Sequence, residues 1–170
     1  AYDSVEVDSD IELGGTDQRF NVLLGRDIQS AYGKKHPQMV ILSPLLEGTD
    51  GVVKMSKSYP EHCISLTEDP KNMFGKLMSI PDELIMRYYT LLTDVADCEL
   101  KEIEERLKSG VNPRDIKLKL AYAITEEYCG AEGAEFGQNE FINVVSNKGI
   151  PEDILEITIE NGKVLLDLLV

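Results

Sequence analysis

Long hydrophobic runs and a disulfide framework are both missing from this sequence of 170 residues. It contains no stretch of about 18 consecutive apolar residues and no basic start followed by an apolar segment, so it predicts neither a membrane span nor a signal peptide. The three cysteines, Cys63, Cys98 and Cys129, are far apart and odd in number. Their pattern argues against a disulfide scaffold and favours the reducing cytoplasm as the location.

Positive charge is also scarce. The chain has 17 lysines and arginines against 31 aspartates and glutamates, which gives a formal net charge of −14. This excess of negative charge favours solubility and excludes a general affinity for nucleic acids or anionic membranes. Any polyanion that the protein binds must therefore meet positive charge that is concentrated locally.

The beginning of the chain predicts a strand, a helix and a second strand. Apolar and polar residues alternate in EVDSDIELGG and end at two glycines, as in a strand that runs into a tight turn. Thr16 or Asp17 can cap the helix that follows, and Gly33 can end it. The nearly continuous apolar run QMVILSP is typical of a parallel strand covered on both faces. Together these elements predict a crossover unit of an α/β sheet.

After Ile64 the sequence changes to helical signals. Asp69 and Asn112 each precede a proline, the pattern of an N-cap followed by a first-turn proline, and Gly130 can end the last long helix. We therefore expect an α/β fold followed by an α-helical domain, mostly helical overall. From residue 150 onward, a further strand, a turn and the start of an apolar helix are predicted.

A long loop between residues 44 and 59 concentrates positive charge and hydroxyl groups. Lys54 and Lys57 are three positions apart and can direct two ammonium groups at one anion, while Ser56 and Ser58 supply further donors. A triphosphate fits this arrangement, and the glycines of the loop would let it close over the phosphates. A solvated turn with two surface lysines is the alternative interpretation.

The string KMSKS, residues 54–58, resembles the signature loop of class I aminoacyl-tRNA synthetases. GGTDQRFN, from residue 14, resembles the strand-to-helix segment of the tyrosyl members of that class, and YDS, from residue 2, resembles the end of their tyrosine-pocket helix. PLLEGTDGVVKMSKS and MFGKLMSIPDELIMRYYTLLTD also resemble bacterial tyrosyl enzymes. The similarity covers essentially the whole chain and implies the second half of a Rossmann-like parallel sheet.

The resemblance also implies roles for individual residues. It makes Lys54 and Lys57 catalytic, on the side of the departing pyrophosphate, and it makes Asp3 the reader of the tyrosine hydroxyl and Gln18 a ligand of the tyrosine carboxyl group. The implied ATP-binding residues are Gly14, Gly15, Asp17, Leu45, Leu46, Lys54, Met55, Ser56, Lys57 and Ser58. No metal-ligating residue is implied. Without the resemblance, a surface or capping role explains Asp3 and Asp17, and core packing explains the two leucines equally well.

The implied reaction has two steps: tyrosine and ATP, with Mg²⁺, form tyrosyl-adenylate, and the tyrosyl group then passes to tRNA(Tyr). A homodimer is expected for the intact enzyme. The resemblance divides the chain into residues 1–64, the second half of the catalytic domain; 65–150, a helical anticodon-recognition domain; and 151–170, the start of a small RNA-binding module. Lysines and arginines of the helical part are the candidate contacts for tRNA phosphates, and ion pairs on the helix surface explain them equally well.

One family motif is missing. The HIGH-type histidine motif belongs to the first half of the nucleotide-binding fold, and the histidines present, His36 and His62, do not form it. Because the chain also begins at Ala1 in what resembles the middle of a domain, we expect a fragment that is inactive alone. A non-catalytic RNA-binding or scaffolding module is one alternative, and specificity for tryptophan is another, against which Asp3 argues.

Overall fold

The computed structural model describes residues 1–56 and 58–146. The elements are α1 (Asp3–Glu6), β1 (Ile11–Gly15), α2 (Arg19–Ala31), β2 (Met39–Ser43), α3 (Pro70–Ser79), α4 (Ile85–Leu92), α5 (Asp97–Lys108) and α6 (Pro113–Phe141). Short 3₁₀ turns occur at Thr16–Gln18, Pro60–His62 and Asp82–Leu84, and a π-helical turn follows at Ile142–Ser146. Helices predominate after an α/β beginning, which confirms the predicted fold class. The strand and helix predicted after residue 150 lie outside the described residues. None of the helices described is long and apolar enough to cross a membrane.

The predicted strand, helix and strand are present as β1, α2 and β2. The two strands pair in parallel, with Ile11 opposite Met39 and Gly15 opposite Ser43. A Cβ atom built on Gly14 would lie 3.4 Å from the Cγ1 atom of Val22, a buried residue of α2. The helix therefore covers the face of the sheet toward which position 14 points, as a crossover connection does.

The prediction that β2 is covered on both faces is wrong for the described residues. Ile11, Leu13, Met39 and Ile41 are exposed by 56%, 74%, 60% and 49%, and the register places them in two directly opposed pairs. Only two strands and one covering helix are described, so the second face of the sheet has no layer over it. These four side chains form an exposed apolar face, a feature typical of a surface that another segment or chain covers.

The chain divides into two compact units, with a first break after residue 64, where the sequence analysis placed one, and a return to the first unit at residue 79. One unit combines Ala1–Ile64 with Ser79–Pro113, and the other combines Ser65–Met78 with the chain from Arg114 onward. In the first unit, the side chains of Ile85, Tyr88 and Tyr89 on α4 are buried. Helices α4 and α5 thus belong to the same unit as the strands, although the sequence placed them with the later helices.

The second unit is built by close contact between α3 and the second part of α6. Helix α6 is interrupted at Gly130, where φ is +76°, so the predicted stop at this glycine corresponds to a left-handed residue. Beyond the break, a Cβ atom on Gly137 would lie 2.7 Å from the carbonyl oxygen of Pro70 and 3.0 Å from Cβ of Phe74. Glycine is required there because the backbone of α6 lies directly against Pro70 and Phe74 of α3, which leaves no room for a side chain. The rings of Phe74 and Phe141 pack with centroids 5.8 Å apart.

Candidate nucleotide site

The turn after β1 brings together a carboxylate and an apolar side chain. A Cβ atom on Gly15 would lie 2.6 Å from Oδ1 of Asp17 and 3.0 Å from Cδ2 of Leu45, so the absence of a side chain at this position allows both groups to approach. Gly15 and its strand partner Ser43 mark the carboxyl ends of two parallel strands. In open α/β sheets this edge is where ligands bind.

The loop lysine reaches the same turn. The Nζ atom of Lys54 lies 2.5 Å from Oδ2 of Asp17, although 37 residues separate the two in sequence. The side chains remain 50% and 29% exposed, respectively, so the pair is accessible to a ligand. Two elements that the sequence singled out separately, the glycine turn and the KMSKS segment, therefore meet on one side of the first unit.

This ion pair determines the titration of Asp17. The hydrogen bond from Lys54 lowers the pKa of the carboxyl group below its ordinary value, and a contact from Gln18 lowers it further, while partial burial opposes both. A carboxyl group with a lowered pKa keeps its charge above its ordinary pKa and loses it as the pH falls through the lowered value. The Asp17 carboxylate therefore carries its charge at neutral pH, and its ion pair with Lys54 is lost as the pH falls through the lowered pKa.

We predict that replacing Lys54 with methionine raises the pKa of Asp17 toward its ordinary value, because the largest cause of the shift is removed. Carboxyl-carbon NMR titration of the full-length protein measures it directly. Lys35→Met, a change at an exposed lysine outside this contact, serves as the matched control. An Asp17 titration that is the same with and without Lys54 would show that the ion pair does not persist in solution.

The loop before Lys54 is folded by its own backbone hydrogen bonds. Glu47 and Lys54 pair as an isolated antiparallel bridge, and the amide of Gly48 donates to the carbonyl of Val53 at 2.8 Å. Amides of Val52 and Val53 donate to the Asp50 carboxylate, and these bonds, that of Val52 most, lower the pKa of Asp50. The lysine thus lies on the second arm of a closed hairpin.

The glycines of this loop serve packing as well as turning. A Cβ atom on Gly48 would overlap the carbonyl oxygen of His62, and one on Gly51 would lie 2.6 Å from Cγ of Pro81. Gly51 also has a φ of +73°, which a residue with a side chain rarely adopts. These contacts hold the loop against the rest of its unit, whereas the sequence led us to expect glycines that merely let the loop move.

The remaining residues of the KMSKS segment are only partly described. Met55 is half-buried, its amide donates to the carbonyl of Leu46 at 3.1 Å, and its sulfur accepts from the amide of Ile64 at 3.4 Å. Ser56 is half-buried and Ser58 is exposed. Lys57, the second predicted catalytic lysine, lies outside the described residues.

The two residues predicted to bind tyrosine are exposed and lie on different elements. Gln18 precedes α2, and its side-chain oxygen accepts from Nδ2 of Asn21 at 2.9 Å. Asp3 begins α1, and its side chain is exposed. The Nε2 atom of Gln18 lies 3.5 Å from Oδ2 of Asp17, so this tyrosine residue meets the nucleotide residues, whereas no hydrogen bond described joins Asp3 to either side chain.

A buried polar network fixes the position of α1. The side-chain amide of Gln29, fully buried on α2, donates to the carbonyls of Ser4 at 2.8 Å and Ser9 at 3.1 Å. Its oxygen accepts from the amide of Gln38 at 2.7 Å. A Cβ atom on Gly25 would lie 2.8 Å from Oγ of Ser4, so this glycine lets α1 lie against α2. The helix that carries Asp3 is therefore held in place by α2 and by the loop before β2, both of which are distant in sequence.

Two side chains that the sequence analysis missed contact the first part of the loop. From α4, Arg87 donates to the carbonyl of Leu45, and the hydroxyl of Tyr88 donates to the carbonyl of Glu47 at 2.7 Å. Burial, aided by the charge of Glu47, raises the pKa of Tyr88 to about 12, so the phenol stays a donor at physiological pH. These contacts span 42 and 41 residues, and no local signal in the helix sequence marks them.

A metal centre is not evident in the described part of the chain. No group of three or more histidine, cysteine, aspartate or glutamate residues there could hold a metal ion. His62 is half-buried, its Nε2 atom is 4.0 Å from Oε1 of Glu61, and its carbonyl accepts from the amide of Thr49. His36 is exposed.

Comparison with known proteins identifies the class. Residues 1–146 match the family described as tRNA synthetases class I (W and Y), and the chain belongs to this family. It is similar to the tyrosine–tRNA ligase of Thermotoga maritima, with 50% identity over 171 residues that cover 100% of this chain and 42% of that protein. It is similar to that of Dehalococcoides mccartyi (strain CBDB1), with 48% identity over 96% of this chain and 41% of the relative. Among solved structures, the tyrosyl-tRNA synthetase of Aeropyrum pernix matches with a TM-score of 0.61 and 25% identity, covering 85% of this chain and 50% of that one.

Proposed function

We propose that this chain is part of a tyrosine–tRNA ligase and contributes the second half of its nucleotide site. The observation that carries the proposal is the contact of Lys54 with Asp17 at the carboxyl end of β1, in a member of this synthetase family. The chain spans 42% of the Thermotoga relative, so tyrosine activation and transfer to tRNA are proposed for the full-length protein.

In the proposed first step, an oxygen of the tyrosine carboxylate attacks the α-phosphorus of ATP, a bond to that oxygen forms, and the bond to pyrophosphate breaks. The chain supplies no nucleophile in this step. Lys54 and Lys57 stabilise the charge that accumulates on the departing pyrophosphate, and MgATP brings its own metal ion. Backbone and hydroxyl donors of the remaining loop residues, Met55, Ser56 and Ser58, complete the contact with phosphate.

The rest of the nucleotide is assigned to the turn and the segment after β2. Gly14 and Gly15 allow the backbone to approach the ligand closely, and the carboxylate of Asp17 accepts hydrogen bonds from ribose hydroxyls. Leu45 and Leu46 supply an apolar surface for adenine. Lys54 contacts Oδ2 of the Asp17 carboxylate, so a ribose hydroxyl can donate to the other oxygen, and the lysine can turn toward the phosphates when the nucleotide binds.

Tyrosine is assigned to Asp3 and Gln18, the first reading the phenol hydroxyl and the second orienting the carboxyl group.

In the second step, a ribose hydroxyl at the end of tRNA(Tyr) attacks the tyrosyl carbonyl of the adenylate, and AMP leaves. For this step we assign residues 65–150 to recognition of the anticodon and residues 151–170 to an RNA-binding module. Six cations of the helical part are the candidates for contact with tRNA phosphates, namely Lys101, Arg106, Lys108, Arg114, Lys117 and Lys119. A homodimer in the cytoplasm completes the proposal.

Exchange of labelled pyrophosphate into ATP by the full-length protein tests the function. We expect exchange that depends on tyrosine and that tryptophan does not support. The tryptophan arm is needed because the matched family includes both specificities. Exchange with tryptophan but not tyrosine would reassign the substrate. Absence of exchange with either amino acid, together with binding of tRNA, would favour a non-catalytic RNA-binding or scaffolding module.

A further inference from the structure

Helix α4 presents two neighbouring polar side chains to the segment that starts the KMSKS loop. The helix is anchored by Ile85 and Tyr88, both fully buried. The guanidinium of Arg87 donates through Nη2 to the carbonyl of Leu45, and its Nε lies 3.1 Å from Oε2 of Glu47 in an ion pair that lacks the alignment of a hydrogen bond. Both atoms of that ion pair are excluded from solvent. One arginine thus holds a backbone group and a charged side chain of the same short segment.

The segment that Arg87 holds is the first arm of the hairpin that carries Lys54. Glu47 pairs with Lys54 across the hairpin, and the carbonyl of Leu46 accepts from the amide of Met55, the residue after the lysine. Backbone hydrogen bonds therefore connect the residues on either side of Lys54 to the arm that α4 fixes. A displacement of that arm would be passed directly to the lysine.

The planar guanidinium suits this task better than a lysine ammonium would. It can donate to the Leu45 carbonyl and face the Glu47 carboxylate at the same time, in a geometry set by its fixed fork of donors. The neighbouring Tyr88 adds a third contact through the carbonyl of Glu47. Three polar contacts from one anchored helix turn thus define where the hairpin begins.

We propose that Arg87 is a positioning residue for adenylate formation, which holds the first arm of the hairpin so that Lys54 meets the departing pyrophosphate. The inference rests on the proposed function and deepens it, because it places the origin of the geometry in a helix that the sequence assigned to the later domain. Arg87 acts through Lys54 and does not itself touch the substrate.

Single-turnover formation of tyrosyl-adenylate in the full-length protein tests this role. We expect Arg87→Met to slow the step about tenfold, since misplacement of a catalytic group by about 1 Å can cost up to about 10²-fold. The KM for tyrosine should stay unchanged. The rate of Arg87→Lys should fall between those of the unaltered protein and Arg87→Met, because lysine keeps the positive charge and loses the planar set of donors. Arg26→Met, a change at an exposed arginine on α2, is the matched control and should react at the full rate.

A double variant shows whether the effect passes through the lysine. If it does, Arg87→Met combined with Lys54→Ala is no slower than Lys54→Ala alone, because coupled residues are not additive. Additive slowing, or a full rate in Arg87→Met while Lys54→Ala is slow, would overturn the inference and leave the proposed function standing. Absence of tyrosine-dependent exchange in the unaltered protein would instead overturn the proposed function. Should circular dichroism show that Arg87→Met is unfolded, Arg87→Lys with the same double variant decides.

Discussion

Formation of tyrosyl-adenylate slows by about 10²-fold or more when Lys54 is replaced by alanine in the full-length protein. This result is expected because the ammonium group would act on charge that develops on pyrophosphate only as the bond to the α-phosphorus breaks. A contact made in the transition state lowers kcat and kcat/KM together when it is lost. Rapid quench with labelled ATP and saturating tyrosine measures the chemical step directly.

The same substitution has an opposite effect on the ribose contact. In the unaltered chain the Asp17 carboxylate is occupied by Lys54 at 2.5 Å, and alanine releases it to accept hydrogen bonds from a nucleotide. The KM for ATP should therefore not rise, which separates loss of catalysis from loss of binding. Lys35→Ala, at an exposed lysine between α2 and β2, controls for the change in net charge. A single-turnover rate in Lys54→Ala equal to that of the control would reduce Lys54 to a surface charge.

The sequence predicted the beginning of the fold because local patterns determine it. Alternating apolar residues and a glycine pair define β1 and the turn after it without reference to distant contacts. The predicted cap by Thr16 or Asp17 is wrong, because α2 begins after Gln18 with no side-chain capping hydrogen bond. The predicted cap by Asp69 is confirmed: its carboxylate caps α3 by accepting from the amide of Asn72 at 3.0 Å, as the residue before a first-turn proline should. Such signals act within a few residues, so one sequence is enough to read them.

The burial of residues and the grouping of helices with strands were harder to predict, because both depend on contacts between segments that are distant in sequence. The run QMVILSP has the composition of a strand with two covered faces, yet Met39 and Ile41 are exposed in the described residues. Composition reports what a surface can be packed against and not which segment packs there. In the same way, α4 resembles any amphipathic helix, and nothing in its sequence assigns it to the unit of the strands.

The candidate site divides along the same line. Sequence motifs marked the Gly14–Asp17 turn and the lysine loop independently, and the structure joins Asp17 to Lys54. The sequence did not predict the contact that supports the lysine loop, because Arg87 and the carbonyl of Leu45 are separated by 42 residues. Every residue has a backbone carbonyl, so the residue type at position 45 does not show that its carbonyl accepts from Arg87. Motifs in the sequence therefore suggest candidate groups for contact with the substrate, whereas no motif suggests the arginine that supports the loop.

Discrimination between tyrosine and phenylalanine falls by about 10²-fold or more when Asp3 is replaced by alanine in the full-length protein. A site built to hydrogen-bond a substrate hydroxyl rejects the analogue that lacks it by about 10⁴ to 10⁵, a range for which tyrosyl-tRNA synthetases are themselves the reference case. The cause is the acceptor that phenylalanine would leave unsatisfied. Removing the acceptor removes that penalty, so kcat/KM for phenylalanine should rise while that for tyrosine falls. Pyrophosphate exchange with each amino acid gives both values.

The position of Asp3 makes a sharp control possible. Its helix is held by the amide of Gln29, which binds the carbonyl of the next residue, Ser4, at 2.8 Å, so truncating the exposed Asp3 side chain leaves that support in place. Glu6 is an exposed carboxylate three residues further along the same short helix, and Glu6→Ala should preserve discrimination. Equal loss in both variants would mean that charge on α1, and not a hydrogen bond from the phenol, governs selection. Full discrimination in Asp3→Ala would move the hydroxyl reader to another residue.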